Sequence, residues 1–196
     1  MISKENLYDK SLLFLIFTNI IIIIIALVEN WDAFEILFIY WCQSIIIGFF
    51  NVIKILTYGA GDNNRSYFSE KIFSSIFFIF HYGMFHAGYL FFLYFLSDGR
   101  MSISIFFNNF YFSSMILLLF INHMFSFVYN KYILKEKQKD IGTIFFQPYA
   151  RIIPMHLTII LGGFFLLMDI PQITLVIFLI LKTAVDVMMH IKVHKK

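Results

Sequence analysis

The chain alternates long stretches almost free of charge with short polar breaks, and each stretch is about as long as a bilayer is thick. Crossing about 30 Å of hydrocarbon takes roughly 20 apolar residues. Six such runs stand at about 11–28, 33–57, 71–97, 102–130, 150–169 and 171–190. The breaks are "ENWD", "YGAGDNNRSYFSE", "SDGR", "NKYILKEKQKDIG" and "DIP", the last placing Pro171 where a helix start tolerates it. The pattern predicts an all-α integral membrane bundle of six transmembrane helices, with residues 1–196 as a single transmembrane domain. No internal repeat or linker interrupts it.

Composition decides between lipid and a protein core as the solvent for these runs. Hydrophobic residues make up 60% of the 196 and charged residues 14%. A soluble domain runs nearer half apolar and about a quarter charged, and a chain this short cannot hide the excess inside itself. The 27 Phe residues, with abundant Ile, Asn and Lys, fit an AT-rich genome as well as any function. The net charge of +3 reflects basic loops rather than nucleic acid or another acidic partner.

All but two of the 15 Lys and Arg residues fall on one side of the six-run arrangement. The exceptions are Arg100, in the break after the third run, and Lys182, inside the last one. The positive-inside rule then makes both termini cytoplasmic, and a multi-pass protein of the plasma (cytoplasmic) membrane is expected. Lys4 and Lys10 precede the first run as in a signal peptide, but Ala26-Leu27-Val28-Glu29 offers no small-x-small cleavage site, so that run is expected to stay as a helix. Cys42 is the only cysteine, which excludes an intrachain disulfide.

Only Lys182 and Asp186 place charge well inside a run. In "KTAVDVMMH", Lys182, Asp186 and His190 recur at i, i+4, i+8 and share one helix face. A charge at depth costs at least ~2.5–3.5 kcal/mol on insertion scales, so it faces the bundle and has a partner. The plain reading is a self-neutralised Lys182–Asp186 pair. The opposite face, with Ile177, Ile180 and Ala184, would meet lipid.

Histidines supply the sharper reading. Counted along the helices, His123, His156, Asp186 and His190 fall in one cytoplasmic-half layer, with His81 near mid-depth. His86 points about 140° away from His81 but shares a face with Tyr82. Gly83 and Ala87 form a small-xxx-small stripe that would bring this helix, and His81, close to a neighbour. Imidazoles with a carboxylate suit zinc or non-haem iron, which makes His81, His86, His123, His156, Asp186 and His190 the candidate metal ligands. Tyr40, Gln43, Asn51, Asn122 or Ser126 would hold the second ring nitrogens. No H-E-x-x-H or H-x-x-x-H motif is present, so the ligands would come from separate helices. A lone membrane histidine is more often a hydrogen-bonded packing residue. "YWCQS" is polar for a lipid-facing stretch and is expected to look into the bundle.

The stretches "YWCQSIIIGFFNVIK", "FHYGMFHAGYLFF", "NHMFSFVYN", "PYARIIPMHLTIILGG" and "LKTAVDVMMH" resemble an uncharacterised family of bacterial and archaeal polytopic integral membrane proteins, a domain of unknown function. The resemblance implies a polytopic fold of this size and draws attention to the same histidines with Lys182 and Asp186. It implies no activity.

Three functions fit these residues. The first is a metal-dependent membrane hydrolase acting on a lipid or other amphiphile, with Lys182 and Asp186 as catalytic groups and the metal activating water. The second is a proton-coupled transporter or channel in which Lys182, Asp186 and the histidines form a relay. The third is a non-catalytic subunit of a membrane complex, with the polar layer as interhelical glue.

Overall fold

A computed structural model describes residues 10–31, 33–57, 65–97, 109–133, 140–149, 179–180, 182–188 and 191. In these, the helices are α1 (Lys10–Val28), α2 (Ala33–Leu56), α3 (Arg65–Leu96), α4 (Phe110–Val128) and the short α5 (Ile141–Phe146), with residues 182–188 also helical. The described residues contain no strand. Lys10–Val28, Phe34–Leu56, Phe68–Phe95 and Phe110–Ile133 are long and apolar enough to cross a membrane. The run at 150–169, most of that at 171–190, and both termini lie outside the described residues.

Local chemistry explains where the helices end. Asn30 stands at φ 51°, a left-handed conformation that Asn tolerates better than most residues. There it closes α1: the Trp31 N–H donates to the Ala26 carbonyl at 2.9 Å and the Asn30 N–H to the Leu27 carbonyl at 3.4 Å. "ENWD" is thus a helix stop that turns Trp31 back into the core, where it is 3% exposed. At the start of α4, the Asn109 side chain accepts the Phe112 N–H at 3.1 Å, so the helix begins at Phe110 rather than at 102 as the apolar run predicted. Past Val128 the chain widens into a π-turn over Tyr129–Ile133.

Cross-helix contacts set the directions. Phe38 packs on Phe112 at 5.8 Å, and Phe50 packs on both Phe120 and Phe127 at 5.4 and 5.7 Å, so α2 and α4 run parallel. Ser11 donates to Ser126 at 2.8 Å and Phe14 meets Phe125 at 5.5 Å, whereas Trp31 meets Phe112, which makes α1 antiparallel to α4. On the other side, Trp41 donates to the His86 carbonyl and Ile55 joins Phe78, so α2 and α3 are antiparallel. The four helices alternate in direction. Lys10, Lys54, Arg65, Lys71 and Lys131 all collect at one end, called here the basic end.

The α2 helix is the centre, with 67% of its most apolar stretch buried against 22–39% for the other three. It touches α3, α4 and α5. The outward faces carry Phe17, Phe73, Phe80, Phe91 and Phe95, each more than half exposed. So much exposed aromatic surface on several sides is incompatible with water and suits hydrocarbon.

Two expectations change with this packing. The Gly83–Ala87 stripe faces outward, and a Cβ at Gly83 would meet nothing within 4 Å. The close approach is made instead at Gly48, where an added Cβ would lie 2.6 Å from the Tyr82 ring. In addition, α3 is longer than its apolar run. It starts at Arg65, six residues before the apolar run that begins at 71, and His81 stands at the middle of its apolar part, Phe68–Phe95.

The short helix α5 takes in the last two residues of the polar break "NKYILKEKQKDIG" and the four that follow. Asp140 caps it by accepting the Thr143 N–H at 2.8 Å and the Thr143 hydroxyl at 2.7 Å. These bonds, the hydroxyl first, hold the Asp140 carboxyl below its ordinary range. A carboxyl lowered on folding stabilises above its unfolded pKa and loses that effect as pH falls through the folded value. The cap therefore persists at neutral pH and fails only in acid. Asp140→Ala should make the amides of residues 143–146 exchange hydrogen faster at neutral pH without altering α3, and equal exchange in both proteins would refute the cap.

Candidate functional site

The polar stretch "YWCQS" does look inward: Tyr40, Cys42, Gln43 and Ser44 are buried, and the half-buried Trp41 donates from Nε1 to the His86 carbonyl at 2.9 Å. Its two polar residues, adjacent in sequence, turn to different neighbours. Gln43 points to the C-terminal helical segment, and Ser44, 100° around the helix, points to α3.

At the first partner, Lys182 Nζ stands 2.6 Å from Asp186 Oδ2, with side-chain exposures of 10% and 15%. The same ammonium donates to Gln43 Oε1 at 2.5 Å and to Asn19 Oδ1 at 3.4 Å. It also lies over the Tyr40 ring, 3.9 Å from the centroid. Asn19 is aimed by its own amide, which donates to the Leu15 carbonyl at 3.0 Å. Three helical segments thus replace the water shell of one cation with a carboxylate, two amide oxygens and an aromatic face, each a recognised cation partner. Ile180 and Ala184 are exposed, as the lipid-facing side of this segment requires; Ile177 lies outside the described residues.

At the second partner, His86 is 1% exposed and both ring nitrogens are engaged. Nδ1 lies 2.8 Å from the Tyr82 carbonyl, an acceptor, so Nδ1 carries the proton. Nε2 then accepts from the Ser44 hydroxyl at 2.8 Å. Tyr82 stacks on the imidazole at 4.2 Å and donates its hydroxyl to the Ser44 carbonyl at 2.9 Å. His86 is a satisfied packing residue that locks α3 to α2, with no nitrogen left for a metal.

The other candidates are dispersed. His81 Nδ1 is 2.7 Å from the Tyr149 hydroxyl, and its ring stacks on Phe77. His123 is half-buried on α4. His156 and His190 lie outside the described residues. Among the described residues no three His, Cys, Asp or Glu are placed to hold a metal ion, so His81, His86, His123 and Asp186 do not form such a set by themselves. Sequence reasoning missed Asn19 and Ser44. Asn19 had a signal, being the one amide in "FTNIIIIII", whereas Ser44 is common enough in membrane helices to carry none.

These features define an α-helical membrane protein with a charged centre buried among its helices. The chain belongs to a family whose model matches residues 1–196 and is described as "Family of unknown function (DUF6498)". Comparison with curated proteins and with solved structures returns no match.

Proposed function

We propose that the protein is a small proton-coupled membrane transporter or channel whose charge-carrying centre is Lys182 and Asp186. One observation carries the reading: a Lys–Asp pair sits in the interior of an apolar bundle and is solvated by Gln43, Asn19 and Tyr40 from two other helices. Ions at such depth are costly, and proton and ion pathways are where membrane proteins retain them. In this reading Asp186 carries the proton, Lys182 is its ion-pair partner, and the basic end faces the cytoplasm. The six-helix, multi-pass arrangement in the plasma membrane belongs to the same proposal.

Reconstitution into liposomes under an imposed pH gradient tests it. Asp186→Asn should abolish proton-driven flux, while circular dichroism and elution in detergent stay unchanged. No flux in the parent protein, or equal flux in Asp186→Asn, overturns the reading. A stoichiometric zinc or iron retained after chelator-free purification would transfer the site to metal-assisted hydrolysis of a lipid or amphiphile, with His123, His156, Asp186 and His190 as the ligands.

A further inference from the structure

We infer that the bundle holds a hydrated path from its basic end to Asp186, lined by Ser75, Asn51 and Asn122. The inference rests on the transport reading for its purpose, though its test does not. Among the described residues, Asn51 Nδ2, Asn122 Nδ2 and Ser75 Oγ are buried and make no hydrogen bond. Their residues are 3%, 2% and 4% exposed. A buried amide donor without an acceptor is costly, and ordered water is the usual partner that removes the cost.

The three groups fall at successive depths. Phe50 lies against both Phe120 and Phe127, which puts Asn51 within about one turn, or ~5 Å, of Asn122 along the bundle axis. Asn122 continues the buried stripe of Phe112, Met115 and Leu119 on α4. Ser75 is one turn before Phe78, which packs with Ile55, so it lies nearer the basic end. Above them, Lys182 bridges Gln43, two turns from Asn51, and Asn19. With its helix running toward the basic end, as the charge pattern predicts, Asp186 stands one turn below Lys182, at the depth of Asn122. What occupies this layer must accept from the two amides, and where it reaches Asp186 it must donate to a carboxylate. Water does both; a metal cation or an apolar molecule does neither.

Cysteine accessibility tests the path in a Cys42→Ala background, in sealed vesicles treated from one face with a charged, impermeant methanethiosulfonate. Only a thiolate reacts, and a thiolate requires water. Asn51→Cys or Asn122→Cys should react at least tenfold faster than Leu119→Cys, and from the face on which Lys54→Cys reacts. A smaller ratio for both, or reaction from the other face alone, overturns the inference. Water-edited solid-state NMR of the unsubstituted chain covers variants that fail to fold. The Asn51 and Asn122 amides should receive magnetisation from water before the Leu119 methyls do, and equal transfer overturns the inference. Reactive cysteines beside a silent flux assay would remove the transport reading and leave the hydrated path.

Discussion

Lys182→Met alone should cost about 3–5 kcal/mol of stability in detergent, whereas Lys182→Met with Asp186→Leu should return to within about 1–2 kcal/mol of the parent. The single change leaves the Asp186 carboxylate at 15% exposure with its cation gone. The double change leaves the neutral amides of Gln43 and Asn19, the second still bonded to the Leu15 carbonyl. Reversible unfolding in mixed micelles reads both. A double variant as unstable as the single one would mean that the amide contacts, rather than the charge pair, hold the C-terminal segment. The double variant also separates glue from function. A merely structural pair predicts full flux in it, and a proton carrier predicts none.

His86→Ala should cost about 3–5 kcal/mol, the range for truncating a large buried ring. It opens a cavity beside Tyr82 and removes the acceptor of the Ser44 hydroxyl. His86→Phe fills that space but still strips the hydrogen bonds, and should cost about 1–3 kcal/mol. The expected order of unfolding midpoints is parent, Phe, Ala. A loss below about 1 kcal/mol for His86→Ala would show that this network does not fasten α3 to α2. Because the imidazole uses both nitrogens within the protein, neither variant should change any bound metal content.

The limits of α1 and α2 were legible to within a residue or two, since a polar break and a helix stop coincide there. They coincide because Asn30 both interrupts the apolar run and adopts the left-handed turn. Elsewhere hydropathy and helix ends part company. Helix α3 extends upstream to Arg65 because Arg65, Ser66, Ser69 and Glu70 lower the hydropathy there without a Gly or Pro to stop the helix. Helix α4 starts late because the Asn109 side chain caps it, which no apolar count registers. Of the candidate site, Lys182 and Asp186 stood out because charge is so rare in these runs. The histidines were grouped by depth alone, and depth says nothing about rotation. His81 and His86 accordingly turn to different neighbours, Tyr149 and Ser44.

What the sequence determined by itself was the solvent: stretches with so little charge must lie in lipid, and a charge within them must turn inward and find a partner. The identity of the partners was decided only by tertiary structure. These helices are apolar almost all round, so no face is marked in advance for a neighbour. The approach of Tyr82 onto Gly48 sets the register of α3 on α2 and delivers Ser44 to His86. Gln43, one position back and a quarter-turn or so away, is left to meet Lys182, a residue 139 positions distant in the chain.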